Sequence, residues 1–203
     1  DFFEDYYKIP YPGTKLDLIA IPDFAMGAME NVGAVTFREN LLLFDKDKAT
    51  RSELDRSITV IAHELAHMWF GDLVTMKWWD GIWLNEAFAS LMEVIASYNT
   101  YPEFKQWNAM NMSRTAGFSI DSLENSRPVE FDVETPDQAE EMFDVLTYEK
   151  GSTVLRMFQM FIGEEAFQNG VEAYLNKFKF ENTNSSDLWD ALSEASNQPL
   201  NKI

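Results

Sequence analysis

The stretch "VIAHELAHMWFG" (residues 60–71) contains both histidines of this 203-residue chain, His63 and His67, four positions apart. In an α-helix that spacing puts the two side chains on one face, about one turn apart. The apolar residues around them would bury the helix, and a buried pair of imidazoles needs partners. The stretch is therefore either half of a metal site or a buried helix whose histidines are satisfied by hydrogen bonds.

A glutamate within the same stretch adds a candidate base. Glu64 lies about 100° round the helix from His63, so it would reach a metal-bound water more easily than the metal itself. Zinc lowers the pKa of its bound water to about 7, and an adjacent carboxylate can then take the proton. The HExxH pattern is therefore typical of a hydrolytic zinc site, although a single match also occurs by chance.

A carboxylate in the next helical segment can complete the ligand set. Glu86 stands in "WLNEAFAS" (residues 83–90), and residues 68–85, which separate it from His67, contain turn signals at "GD" and "WWDG". The chain has room there to turn and to bring a second helix back beside the first. Because the chain contains no cysteine, a metal must be held by histidine and carboxylate. We therefore predict a His2Glu site with an open position, which is typical of catalytic zinc.

Composition and charge exclude several classes of protein. Apolar residues make up 46% of the chain and aromatic residues 14%, enough for a sizeable core in one domain. The net charge of −18 argues against nucleic-acid binding, because a phosphate backbone would be repelled. An acidic solvated surface or a cationic ligand accounts for it better. With no apolar run of about 18 residues and no basic-then-apolar leader, we expect neither a membrane span nor a signal peptide.

The secondary-structure pattern changes after residue 50. Before it, "KLDLIAI" and "GAVTFRENLLLF" predict a small mixed β-sheet. After it, a period of 3.6 residues predicts helices, interrupted by an irregular acidic loop over residues 121–137. The predicted helices are 52–71 with "SELD" as its cap, 84–98, one starting with Pro102 in its first turn, 138–161, 164–178 and 186–196. The expected fold class is α+β, in one domain over residues 1–203 with a β-rich part of about 1–50 and a helical part of about 51–203.

Four motifs in a fixed order carry a family resemblance. They are "GAMEN" (27–31), "HELAH" (63–67), "WLNEAFA" (83–89) and "TYEKGSTVLRM" (147–157). The set resembles the aminopeptidase N family of gluzincin metallopeptidases, close to its puromycin-sensitive and bacterial branches, over essentially the whole chain. The resemblance implies a thermolysin-like catalytic domain with the zinc site between the small sheet and the helical part. It also implies that this is a piece of a longer protein whose other domains are missing, and that the piece alone is weakly active.

The resemblance also implies roles for residues of the helical part. His63, His67 and Glu86 would bind one Zn²⁺ per chain. Glu64 would be the general base that activates the zinc-bound water and later returns the proton to the leaving amine. Tyr148 would stabilise the tetrahedral oxyanion with its phenol proton. From the residues alone, Tyr148 is an ordinary aromatic residue of the core or the surface.

The motif "GAMEN" would form the substrate-binding side of the site. The resemblance implies that Glu30 anchors the free α-amine of a peptide, while Gly27 and Ala28 hold its backbone as an extended edge strand can. Met29 belongs to the same substrate-binding group, and Met26 would line a specificity pocket that adapts to varied side chains. From the residues alone, the motif is a turn between strands and Met26 a core methionine.

The function that these residues predict is zinc-dependent hydrolysis of the N-terminal peptide bond in peptides with a free N-terminus. Three alternatives stay open. An epoxide hydrolase of the leukotriene type uses a similar zinc site but usually has glycine where this chain has Ala28. A thermolysin-like endopeptidase should lack the amine anchor, and a non-catalytic zinc domain should have lost Glu64 or Tyr148.

Overall fold

A small mixed sheet opens the chain. The computed structural model describes residues 1–45 and 47–202, and of residue 201 only the backbone. The first elements are helix α1 (Phe2–Tyr7) and strands β1 (Asp17–Ile21), β2 (Ala28–Met29) and β3 (Ala34–Arg38). The strand order is β1-β3-β2, with β1 parallel and β2 antiparallel to β3, so the predicted mixed sheet is confirmed.

Helix α1 was not predicted within this β-rich part. Its residues Phe3 and Tyr7 are one turn apart and both are buried. Their rings lie 5.9 and 5.4 Å from the ring of Trp69. The helix therefore forms because one apolar face packs on the segment that follows the two histidines.

Helix α2 (Arg51–His67) carries the two histidines. Thr50 caps it: its side chain accepts a hydrogen bond from the amide of Glu53 at 3.2 Å, and the Glu53 carboxylate accepts one from the Thr50 amide at 2.8 Å. The predicted start at Ser52 is right to within a residue, but the predicted cap in "SELD" was wrong, because the glutamate that closes the capping box lies three residues after Thr50. The predicted end at Gly71 was also wrong. Gly71 has φ of 131°, outside any helix, and α2 ends with His67 in its last turn.

The second helix of the site, α3 (Trp83–Thr100), packs along α2. A strand β4 (Val74–Met76) and a 3₁₀ turn (Trp79–Gly81) lie between the two helices. Helix α3 is buried on almost every side, with Ala87, Phe88 and Leu91 fully enclosed. The prediction of a helix over 84–98 that returns beside the first is confirmed, and Glu86 falls in its first turn.

The remaining elements complete the helical part. In chain order they are α4 (Gln106–Asp121), α5 (Pro136–Glu141), a π-helical turn (Leu146–Lys150), α6 (Gly151–Ile162), α7 (Glu164–Phe178), β5 (Glu181–Thr183) and α8 (Ser185–Ser196). Strand β5 pairs in parallel with β4, and neither strand was predicted. The prediction of a helix over 164–178 is confirmed, that of one over 186–196 is right to within a residue, and the irregular segment between α4 and α5 is also as predicted.

Two predicted helices were wrong in detail. The helix expected from Pro102 begins as a 3₁₀ turn (Pro102–Phe104), and Lys105 at φ 55° ends that turn before α4 starts. The helix expected over 138–161 is broken between Glu141 and Leu146. There the side chain of Asp144 accepts hydrogen bonds from two following backbone amides and starts a new helical segment.

Apolar side chains from the sheet and the helices meet in one core cluster. Phe37 of β3 belongs to it, and the rings of Phe70 and Phe88 stack at 4.0 Å. Burying a ring of this size contributes roughly 1.5–3 kcal/mol to folding. This packing holds the segment after α2 against α3 and so sets the distance between the histidines and Glu86. None of the helices in the described residues is long and apolar enough to cross a membrane.

Candidate metal centre

Two adjacent helices bring to one point three side chains that can bind a metal ion. The Nε2 atoms of His63 and His67 on α2 are 3.1 Å apart. Each of them lies 3.2 Å from Oε2 of Glu86 on α3. Tetrahedral zinc, with ligand distances of about 2.0–2.2 Å, needs neighbouring donor atoms roughly 3.3 Å apart. The cluster can therefore hold a metal ion, as the spacing of its residues predicts.

The second nitrogen of each imidazole is already engaged. Nδ1 of His63 lies 2.8 Å from Oε2 of Glu93, and Nδ1 of His67 lies 2.8 Å from the carbonyl oxygen of Phe70. Each ring donates its Nδ1 proton to that oxygen and leaves the Nε2 lone pair for the shared point. Sequence reasoning missed Glu93. The signal for it was its position two turns after Glu86, on the same face of α3.

The charges of the three ligands favour a cation between them. Burial lowers the pKa of both imidazoles, but nearby carboxylates outweigh it and leave the pKa above the ordinary value: Glu86 and Glu93 at His63, and Glu86 and Glu30 at His67. Burial raises the pKa of Glu86, yet the two imidazoles hold it well below its usual range. The cluster thus attracts positive charge. Two imidazoles and one carboxylate, without thiolate, fit a divalent metal such as zinc.

Glu64 lies in the cavity that His63, His67 and Glu86 line, and it has no hydrogen-bond partner in the described structure. Its side chain is 5% exposed, and its Oε2 is buried with no hydrogen bond in the described structure. Burial raises the pKa of Glu64 to about 7, although the two imidazoles oppose the shift. A buried carboxyl group that is left unsatisfied is costly, and a perturbed pKa is commonest at functional sites. The geometry therefore leaves one oxygen of Glu64 free for a ligand.

Tyr148 faces the cluster from the π-helical turn. Its ring centroid lies 6.0 Å from that of His63, and it lines the same cavity as Glu86. Burial, followed by the nearby carboxylates of Glu86, Glu30 and Glu64, raises the pKa of Tyr148 far above its ordinary value. The phenol therefore stays protonated at neutral pH and is available as a hydrogen-bond donor.

A cavity of about 530 Å³ joins these groups to the motif "GAMEN". Oε1 of Glu30 lies 3.8 Å from Nδ1 of His67. Ala28 and Met29 line the cavity from β2, and Met26 lines it just before that strand. Met26 is 58% exposed, so the alternative of a core methionine is wrong.

Gly27 differs from its neighbours in the motif. It does not line the cavity among the described residues, and its carbonyl oxygen accepts a hydrogen bond from the amide of Arg38 at 2.8 Å. Its backbone is thus tied to the sheet. The structure brings the other nine predicted site residues to the same cavity, namely Met26, Ala28, Met29, Glu30, His63, Glu64, His67, Glu86 and Tyr148.

One acidic residue of the cavity was not predicted from the sequence. Asp72 lines it, and the buried Oδ2 of Asp72 has no hydrogen-bond partner in the described structure. Burial and the neighbouring Glu30 raise the pKa of Asp72 to about 7. The only sequence signal was its place after Gly71, where the chain leaves α2. Glu30 and Asp72 together give this side of the cavity an affinity for cations.

Known proteins resemble the chain along its whole length. Residues 1–203 match the peptidase family M1 domain. Aminopeptidase M1 of Arabidopsis thaliana is 46% identical over 203 residues, which are 100% of this chain and 23% of the relative. Puromycin-sensitive aminopeptidase of Caenorhabditis elegans is 46% identical over 204 residues, 100% of this chain and 22% of the relative. Endoplasmic reticulum aminopeptidase 2 of Homo sapiens is 51% identical over 195 residues, 96% of this chain and 20% of the relative.

The chain spans about a quarter of the length of the curated relatives it matches. Most of the length of each of these relatives therefore lies outside the match. The family match covers every motif from which the resemblance was drawn, and the resemblance is thereby confirmed. The chain belongs to peptidase family M1.

Proposed function

We propose that the chain is the catalytic part of a zinc aminopeptidase that releases N-terminal residues from peptides with a free N-terminus. The observation that carries the proposal is the cluster of His63, His67 and Glu86 in one cavity with an unpartnered Glu64. Membership of peptidase family M1 and the aminopeptidase names of the relatives support it. Because those relatives are about four times longer, the activity refers to the protein that contains this chain.

The architecture belongs to the same proposal. We assign residues 1–203 to an incomplete thermolysin-like catalytic domain, with a sheet part of about 1–50, a helical part of about 51–203 and the zinc centre between them. His63, His67 and Glu86 would hold one Zn²⁺. When bound, the ion supplies Lewis acidity, which lowers the pKa of a coordinated water and polarises a carbonyl group.

Glu64 is the general base in this scheme. Its free Oε2 accepts the proton of the attacking water, and the carboxylic acid then delivers that proton to the leaving amine. A pKa near neutrality suits both transfers, and the pKa of Glu64 is raised to about 7 by burial. The burial that raises its pKa also limits competing contacts with solvent.

Tyr148 stabilises the charge that develops on the substrate carbonyl oxygen. Its phenol is protonated at neutral pH, and burial together with three nearby carboxylates raises its pKa still further. A donor held in place before the reaction costs no reorganisation when the oxyanion forms. Its place in the cavity of His63, His67 and Glu86, with its ring centroid 6.0 Å from that of His63, supports this role.

The substrate lies along β2 in this proposal. Strand β2 is at an edge of the sheet. Since Gly27 and Met29 face β3, the backbone groups of Ala28 point outward and are free to pair with an extended peptide. Gly27 supports the strand through its hydrogen bond with Arg38. The exposed thioethers of Met26 and Met29 line the rim and adapt to different side chains.

Glu30 makes the enzyme an exopeptidase by binding the α-ammonium group of the substrate. We expect Glu30→Gln to raise KM for a free aminoacyl amide by about 10- to 100-fold, because a hydrogen bond to a charged group contributes about 1.5–3 kcal/mol. The measurement is steady-state kinetics with the protein that contains this chain. Glu39→Gln, which alters an exposed carboxylate at the end of β3, is the matched control and should leave KM unchanged. An unchanged KM in Glu30→Gln would rule out this anchor.

A further inference from the structure

The π-helical turn that carries Tyr148 begins with a side-chain cap. Oδ1 of Asp144 accepts hydrogen bonds from the amides of Leu146 and Thr147, both at 3.0 Å. The backbone carbonyl of Asp144 accepts one from the amide of Tyr148 at 3.1 Å. A carboxylate in this position satisfies amides that a helix start leaves free. The start of the turn is therefore fixed by Asp144.

Arg127 in turn fixes Asp144. Its Nη2 donates to the same Oδ1 at 2.6 Å and to Oγ1 of the fully buried Thr147 at 3.0 Å. Charge-assisted hydrogen bonds of this kind are about twice as strong as neutral ones. Arg127 comes from the irregular segment between α4 and α5, outside the cavity of the metal centre. It nevertheless donates two hydrogen bonds to residues that cap or form the turn of Tyr148, namely Asp144 and Thr147.

The far end of the turn is held as well. Nζ of Lys150 donates to Asp121 at 2.7 Å and to the carbonyl oxygen of Arg127 at 3.1 Å. The next residue, Gly151, lies so close to α3 that an added Cβ would come within 2.6 Å of Cβ of Ala87, the neighbour of Glu86. The end of the turn cannot move toward α3. A shift at the Asp144 end would therefore rotate the turn and change the direction of the phenol.

We propose that Arg127 is a positioning residue for Tyr148, acting through Asp144 and Thr147 on the π-helical turn. The inference rests on the proposed function, because stabilisation of the oxyanion by Tyr148 depends on the direction of its phenol group. π-helical turns are rare in proteins, and those that occur are often found at functional sites. Such a turn needs an external brace, and the guanidinium group supplies one without touching substrate or metal.

The test compares Arg127→Gln with Arg156→Gln in the protein that contains this chain. Arg156 is the matched control, since its side chain is similarly buried (24% against 17% exposed) and ion-paired, but it contacts Glu164 rather than the turn. We expect Arg127→Gln to lower kcat by about 10- to 100-fold with KM and zinc content unchanged, because misplacement of a catalytic group by 1 Å has an effect of that size. Amide hydrogen exchange at residues 146–148 should also accelerate. Arg156→Gln should change none of these quantities.

A double-mutant cycle with Tyr148→Phe separates positioning from general damage. If Arg127 acts through Tyr148, adding Arg127→Gln to Tyr148→Phe should lower kcat no further. Arg127→Lys, which keeps the positive charge but has a single donor nitrogen, should recover part of the lost rate. If Arg127→Gln does not fold, Asp144→Asn replaces it, because the amide keeps an acceptor for the backbone and loses only the charge that pairs with Arg127.

The outcomes distinguish the two proposals. A native kcat in Tyr148→Phe would overturn the role of Tyr148 and the positioning role with it. A low kcat in Tyr148→Phe, combined with a native kcat in Arg127→Gln, would overturn the positioning role alone. Additive losses in the double variant would overturn it as well, since they would show that Arg127 acts on another part of the protein.

Discussion

Glu64→Gln should lower the rate of N-terminal hydrolysis by about 10²- to 10⁴-fold while the zinc remains bound. The substitution keeps the shape of the side chain and removes the group that accepts the proton of water. Glu64 contributes no atom to the ligand cluster of His63, His67 and Glu86, so metal affinity should be unaffected. Steady-state kinetics and metal analysis on the same purified sample measure both quantities.

The shorter variant Glu64→Asp is the control for this prediction. It keeps the carboxylate but withdraws it from the position of the free Oε2, so an intermediate rate is expected. Hydrolysis within a factor of a few of the native rate in the zinc-loaded Glu64→Gln protein would contradict the assignment of the base. Loss of zinc from that variant would instead show that Glu64 supports the metal.

Glu86→Gln should weaken zinc binding by more than about 100-fold. Loss of a residue that only hydrogen-bonds to a metal ligand weakens binding by about 10- to 100-fold, and loss of the ligand itself should have a larger effect. The substitution removes the one anionic ligand of the cluster, whose Oε2 lies 3.2 Å from both Nε2 atoms. Two neutral imidazoles and an amide oxygen then remain for the metal. Competition with a chelating indicator measures the affinity directly and does not depend on turnover.

Substitutions of two other carboxylates provide the comparison for the loss of zinc affinity in Glu86→Gln. Glu93→Gln should weaken zinc binding by about 10- to 100-fold, because Glu93 holds only the Nδ1 side of His63. Glu149→Gln should leave the affinity unchanged, since Glu149 is half-buried nearby but makes no hydrogen bond with either histidine. An affinity for Glu86→Gln equal to the native one, or a larger loss in Glu93→Gln, would exclude Glu86 as a ligand.

The ligand cluster was predictable because local geometry defines most of it. Helical periodicity alone places His63 and His67 on one face, and a single return of the chain brings Glu86 beside them. Glu93 follows from the same periodicity, two turns beyond Glu86, and was open to sequence reasoning. The capping box at Thr50 was equally visible, since Thr50 lies three residues before Glu53, although the pattern "SELD" favours Ser52.

Other features depend on contacts between distant segments and left little trace in the sequence. Strands β4 and β5 are three residues each, and they pair although a large part of the helical region lies between them in sequence. The break before the π-helical turn escapes a periodicity analysis, because apolar residues continue through it while Asp144 restarts the hydrogen bonding. Arg127 lies in an irregular acidic segment, where no pattern predicts which carboxylate it meets.

The position of the first cut on a peptide tests the central claim most directly. The protein that contains this chain is incubated with one peptide in two forms, with a free and with an acetylated N-terminus, and the products are followed by mass spectrometry. The account predicts stepwise loss of single residues from the N-terminus of the free peptide and no cleavage of the acetylated one. Internal cleavage, or equal cleavage of the two forms, would contradict it.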